Sequence, residues 1–355
     1  MPCEPTSIRA RPIVIDVLRQ HAELAAFLWA QRDTLCQADP VDPNVIAGID
    51  KRLEANLDAL RIAGEAAWPF ILQQYEDFPE KGELFVAGFF AIDRSDFERI
   101  DQVLQFGRES SEAAGLVGAL AWLPAGKIGS LVRHWIASAD AFKRLLAVSA
   151  CVAHGVDPKG RLQLLMRDGD VRVRAKAYEL AGGLCRRELA DDLRRGLDEM
   201  DDAARIQAAT SLLSFGSEPA ALAELKRVAA RGGLRSAAVM RSVVAAAPSA
   251  EVRAWLGDLL KDSQTVPLAI RGVGMLGDRA ILHWLIHRMR TPAWAQAAGL
   301  AFLELFPEAR GDGELFSIEA SVLGEAFAEH FDDDPPYLPA ADRIKDWARA
   351  RKLLE

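Results

Sequence analysis

Aromatic residues are scarce, at 7% of 355 positions, although half of the chain is hydrophobic. The apolar content is therefore carried mainly by Ala, Leu and Val. That mix suits helices packed closely through small side chains, because Ala and Leu are among the best helix formers. No run approaches the roughly 18 uncharged apolar residues that a membrane-spanning helix needs. The opening segment MPCEPTSIRARPIVIDVLRQ lacks the long apolar core of a secretory signal. Both absences point to a cytoplasmic protein with no membrane partner. The four cysteines, Cys3, Cys36, Cys151 and Cys185, form no CxxC pair and read as small buried or incidental thiols in a reducing compartment. A basic excess is lacking too. The net charge of −8 and the pI near 5.4 argue against a duplex-binding protein, whose affinity comes from neutralising phosphates. Catalytic signatures are missing as well: no Gly-rich phosphate loop follows a strand, no GxSxG is present, and no Cys stands beside a His base. The expectation is a protein that is not an enzyme, with no catalytic residue, metal site or cofactor.

The helical periodicity, by contrast, is strong. Val17, Leu18, Leu24, Phe27 and Leu28 recur at helical spacing between about Ile13 and Leu35. Ile46, Ile49, Leu53, Leu57, Leu60 and Ile62 do so between about Val45 and Ala67, with Asp42 or Asn44 as the N-cap. Residues 1–67 thus read as a helical hairpin that caps a repeat array. From Trp68 the sequence repeats itself. Asp170 and Asp201, Arg174 and Arg205, and Ala177 and Ala208 all lie 31 apart, and the small residue continues as Ala147, Ala177, Ala208, Ala238, Ala269 and Ala298. Looser copies surround Ala87 and Ala114. A step near 30 holds two short helices and two turns, a unit that cannot bury its apolar face alone and must stack. The predicted fold is an all-α solenoid of HEAT-like two-helix repeats, about eight pairs over residues 68–306, each repeated Ala marking a close helix crossing. Residues 307–355 read as one further helix, an acidic Pro-rich connector and a terminal helix containing Trp347.

The candidate chemistry mostly has a structural explanation. Asp170 and Asp201 precede helices and suit N-caps, while Arg174 and Arg205 can reach a carboxylate or carbonyl of the next unit. His283 and His287 stand at i and i+4, but the intervening Trp, Leu and Ile lack the Glu of HExxH, so they read as packing residues. His330 precedes Asp332, Asp333 and Asp334, which read as a solvated acidic loop. Trp68, Trp122, Trp135, Trp255, Trp284 and Trp294 read as core. Lys159 to Arg195 is locally basic and offers a solvated edge, a docking site for an acidic partner or a phosphate-contacting patch. If the second helix of each pair lines the binding face, Arg172, Lys176, Glu179, Gln207, Thr210 and Arg271 are the partner-contacting candidates.

The segment IDKRLEANLDALRIAGEAAW (Ile49–Trp68), with HAELAAFLWAQRDTL upstream and GLVGALAWLP downstream, resembles a proteobacterial family of HEAT-like repeat proteins whose members often occur in type VI secretion gene clusters. The resemblance covers most of the chain and is most specific between His21 and Pro124. It implies an adaptor, chaperone or immunity protein acting beside a secreted effector or a secretion component, and it carries no catalytic residue. The rival expectation is an enzyme on a HEAT-like scaffold, such as a DNA glycosylase or a lyase, which would need a basic groove with aromatic and carboxylate residues inside it.

Overall fold

The computed structural model describes residues 14–38, 41–109, 113–233, 235–331 and 336–354. Ile13, Cys3 and the acidic run Asp332–Asp334 lie outside them. The fold is all-α. Two compact units, Met1–Leu180 and Ala181–Glu355, meet within one helix. The first contains α1 (Ile15–Cys36), α2 (Pro43–Ala63), α3 (Trp68–Asp77), α4 (Lys81–Asp93), α5 (Phe97–Glu109), α6 (Ala114–Trp122), α7 (Ala125–Trp135), α8 (Ala141–His154), α9 (Arg161–Leu165) and most of α10 (Val171–Gly183). The second contains α11 (Ala190–Gly196), α12 (Asp202–Phe215), α13 (Pro219–Ala230), α14 (Ser236–Ala246), α15 (Ser249–Leu259), α16 (Val266–Met275), α17 (Leu282–Met289), α18 (Pro292–Leu305), α19 (Glu325–His330) and α20 (Ala341–Ala350).

Even-numbered helices form the stack. In the first unit α4 packs on α6 and α6 on α8; in the second, α12, α14, α16 and α18 succeed one another, with α11, α13, α15 and α17 laid against their neighbours. This is solenoid packing, in which each pair hides its apolar face on the next. The repeated Ala explains the closeness. Ala147, Ala177, Ala208, Ala269 and Ala298 are fully buried. Ala238 departs from the series. The buried stripe of α14 is Ser236, Val239, Met240 and Val243, at i, i+3, i+4 and i+7, and Ala238 falls outside it and is exposed. At the α4–α6 crossing the backbones come closer than Ala would allow: a Cβ added to Gly115 would meet the Lys81 carbonyl oxygen at 2.5 Å.

Capping fixes the helix starts. Asp42, rather than Asn44, caps α2 by accepting from the backbone N–H of Asn44 at 2.9 Å, with Pro43 in the first turn. Asp140, Asp170 and Asp201 do the same for α8, α10 and α12, at 2.9, 2.8 and 2.8 Å. Four residues after each stands an Arg that folds back onto the turn it has just left. Arg144 donates through Nη1 to Ser138 O and Ala139 O (2.9 and 2.7 Å), Arg174 to Asp168 O and Gly169 O (2.7 and 3.3 Å), and Arg205 to Glu199 O and Met200 O (2.5 and 3.1 Å). The carbonyls therefore belong to the residue's own turn. The carboxylates come from the next repeat: Asp168 for Arg144, and Glu224 for Arg205 at 2.9 Å.

The N-terminal pair differs from the sequence expectation in detail. Leu18 and Leu28 are buried, but Val17, Leu24 and Phe27 are exposed, and α1 instead buries Ala22, Ala25, Ala26 and Trp29. Close packing of α1 on α2 and α4 selects the small side chains. A 3₁₀ turn at Gly64–Ala67 ends α2 early, because Gly64 takes a φ of +63° that only glycine adopts readily; Ile62 is left 86% exposed. Beyond α18 the expected helix is broken up. A two-residue antiparallel bridge pairs Phe316–Ser317 with Leu338–Pro339; Pro307–Gly311 and Ala320–Leu323 form 3₁₀ turns, and only the six residues of α19 in this stretch are α-helical, after Gly324 at φ +116°. Trp347 on α20 packs edge-on against Phe302 and Phe306, at 5.4 and 5.9 Å between centroids.

Candidate interaction site

On α2, Asp50, Glu54, Asp58 and Arg61 succeed one another at steps of four, four and three, so a helix places them on one face. That face meets α1, α4 and Trp122 of α6, and α7 joins it through α4. Arg32 of α1 donates through Nε to Asp50 at 2.6 Å, and its guanidinium lies 5.4 Å from the ring centroid of Trp122, the last residue of α6. The Trp122 indole N–H donates to Glu54 Oε2 at 2.5 Å. The other oxygen of Glu54 accepts from Arg61 at 2.6 Å, and Arg61 donates to Asp58 at 2.5 Å. Its guanidinium also sits 4.7 Å from the Phe89 centroid and 3.8 Å from Asp93, to which Lys127 donates at 2.7 Å. Partial burial works against the Arg61 charge, but Glu54, Asp58 and Asp93 outweigh it and hold its pKa above the ordinary Arg value. The network carries four carboxylates against three cations, so it is not a cationic channel.

Next to Lys127 opens a cleft of about 330 Å³, floored by Ile92, Ile100 and Ile128, with Lys127 and His134 also lining it. Its rim includes Phe97, 71% exposed, which comes after a turn where Ser95 takes a φ of +56°. An apolar cleft beside an ordered array of Arg, Trp and carboxylates can seat a side chain of another protein. None of these residues was singled out by sequence reasoning as a contact. The available signal was the 50–54–58–61 ladder, within the segment that carries the family resemblance.

The candidates named from helical phase are scattered. In the first unit, Arg172 is exposed but pairs with the capping Asp170 at 2.7 Å, and Lys176 and Glu179 bind each other at 2.7 Å. In the second, Gln207 and Thr210 are half-buried on α12. Arg271 is buried, at 6% exposure, with its guanidinium 3.8 Å from Glu304. The basic run is largely compensated locally, Arg186 by Glu188, Arg194 by Asp191 and Glu218, and Arg195 by Asp192. His283 and His287 are exposed rather than packed, because Leu282, Leu285, Ile286 and Met289 form the buried stripe of α17. Among the described residues no cluster of three or more His, Cys, Asp or Glu is set to hold a metal. Trp68 and Trp135 are core; Trp122, Trp255, Trp284 and Trp294 are only half-buried. No helix among the described residues is long and apolar enough to cross a membrane.

No curated protein matches the chain, and no solved structure does. Residues 158–242, which run from just before α9 into α14, match the family model described as HEAT repeats, and this stretch holds two of the three Asp–Arg pairs and the buried Ala177 and Ala208.

Proposed function

We propose that this chain is a non-catalytic protein-interaction module whose contact face in the first unit is the α2 network and the adjoining cleft. HEAT repeats are commonly protein-interaction scaffolds. The observation that carries the reading is the Arg32–Trp122–Glu54–Arg61 chain. Arg and Trp dominate interface energetics, and here both are half-exposed and already locked in place by ion pairs and a hydrogen bond. A partner docking on them loses little side-chain entropy in ordering them. With the family resemblance, this supports a cytoplasmic adaptor, chaperone or immunity role beside a type VI secretion effector or component.

The test is co-purification with the products of neighbouring genes, comparing the parent with Trp122→Ala and with Arg61→Glu. A protein retained by the parent and lost from both variants, with their melting checked, supports the reading. An enzyme on the same scaffold, such as a DNA glycosylase or a lyase, is the second reading, since aromatics and carboxylates do meet at Trp122 and Glu54. Its cost is the carboxylate excess in the network, which repels phosphates. Retention of no protein by the parent, together with DNA binding or substrate turnover by the purified chain, would replace the first reading with the second.

A further inference from the structure

From Arg279 to Leu303 there is no Asp or Glu, in a chain whose net charge is −8, yet this stretch carries Arg279, Arg288, Arg290, His283 and His287. Arg290 pairs with Asp342, whereas Arg279 rests over Phe306 and Arg288 on α17 lies between two indoles. Its guanidinium carbon lies 5.2 Å from the ring centroid of Trp284, one helical turn earlier, and 4.9 Å from that of Trp294 at the start of α18. The Nε is buried with no hydrogen-bond partner, and no carboxylate among the described residues pairs with the group. Elsewhere in the second unit, Arg194, Arg205, Arg227, Arg241 and Arg290 each have an acidic partner. Two half-buried indoles resting on the α17–α18 core thus hold a planar cation in a partly dry setting without a counter-charge. An Arg fork held this way matches a carboxylate by geometry as well as by charge, and the aromatic flanks lower the local dielectric that strengthens the pair.

We propose that Trp284, Arg288 and Trp294 form a receptor for a carboxylate side chain in an acidic segment of a protein partner. This names partner chemistry and rests on the reading that the partner is a protein. Its test uses the purified chain alone, so the two fail separately.

The probe is hexaglutamate, titrated at low ionic strength against tryptophan fluorescence, with hexalysine and inorganic phosphate as the other arms. The expected result is a saturable change with hexaglutamate that weakens with salt, and no saturation with hexalysine. Arg288→Gln should weaken binding roughly tenfold or more, as loss of a charged hydrogen-bonding partner does, and Arg288→Lys should weaken it less. Trp294→Phe should remove part of the optical signal while keeping binding within about threefold, because a ring face remains. Absence of hexaglutamate binding by the parent would overturn the proposal even if Arg288→Gln failed to fold. Equal binding by the parent and a folded Arg288→Gln, or phosphate saturating at the concentrations where hexaglutamate does, would overturn it as well.

Discussion

Arg144 grips both oxygens of Asp168, Nε at 2.6 Å and Nη2 at 2.8 Å, across 24 residues of sequence. The Arg144 side chain is 19% exposed and that of Asp168 7%, so the pair is shielded, and the remaining guanidinium nitrogen is held by the carbonyls of residues 138 and 139. One side chain therefore closes its own turn and fastens the next repeat to it. Removing it strands a largely buried carboxylate. Arg144→Leu should lower stability by roughly 2–4 kcal/mol, whereas Arg144→Leu with Asp168→Leu should recover part of the loss, because breaking a buried pair costs more than replacing it. Urea unfolding monitored by far-UV circular dichroism checks this; a double variant no more stable than the single one would show that the carboxylate is not the source of the cost.

The same carboxylates set an acid limit. Burial alone would raise the Asp168 pKa, but hydrogen bonds from Arg144 and the Asp170 backbone N–H outweigh it and hold it below the ordinary value. Asp170 is held down mainly by Arg172, and Glu224 by Arg227 and, against burial, by Arg205. A carboxyl whose pKa is lowered by folding contributes its full stability above the unfolded value, near 4, and loses it as pH falls through the lower folded value. Melting temperature should hold through the weakly acidic range and fall below about pH 4, less steeply in Asp168→Asn. Parallel curves for parent and variant would exclude Asp168 from that loss.

Small residues at equivalent sequence steps should respond in opposite ways. Ala208 is fully buried and Ala208→Leu should cost roughly 1–3 kcal/mol through overpacking. Ala238 is exposed, and Ala238→Leu should change stability by about 0.5 kcal/mol or less. Similar denaturation midpoints for the two variants would contradict the burial pattern of α14.

Glycines divide the same way. A Cβ on Gly48 of α2 would meet nothing within 4 Å, so Gly48→Ala should stabilise by roughly 0.5–1 kcal/mol by restricting the unfolded chain. Gly115→Ala would drive its Cβ to 2.5 Å from Lys81 O and 2.8 Å from Phe85 N, backbone atoms that cannot move alone, and should destabilise by roughly 1–3 kcal/mol. Thermal melting of the pair tests both signs.

Cys151 is buried on α8, and burial pushes its thiol up to about 11; Cys36 and Cys185 are exposed. An aromatic disulfide reagent at pH 8, attacked by a thiolate with release of the aromatic thiolate, should modify Cys36 and Cys185 in the native protein and reach Cys151 only on unfolding, because the thiolate is the reactive form. Mass spectrometry of the labelled peptides reads this directly, and early labelling of Cys151 would point to local opening of α8.

The sequence by itself determined the helical class, the two-helix step near 30 and the capping Asp of α10 and α12, because these depend on local periodicity and on groups a few residues apart. It also showed the Asp-to-Arg spacing of Asp170–Arg174 and Asp201–Arg205, and Asp140 and Arg144 stand at the same spacing 30 residues before the first of these. Tertiary structure decided the rest. Helical phase put Arg271 on a binding face, and the packing of α16 between α14 and α18 buried it beside Glu304. Val17, Leu24 and Phe27 recur at helical spacing yet are exposed, whereas α1 buries Ala22, Ala25 and Ala26, and Gly82 of α4 comes up against the Ala26 backbone. Trp122 meets Glu54 across 68 residues, and Arg288 finds its two indoles across a turn. Which helix faces which, and how closely, is set by side-chain volume summed over three dimensions, and no periodicity along the chain carries that sum.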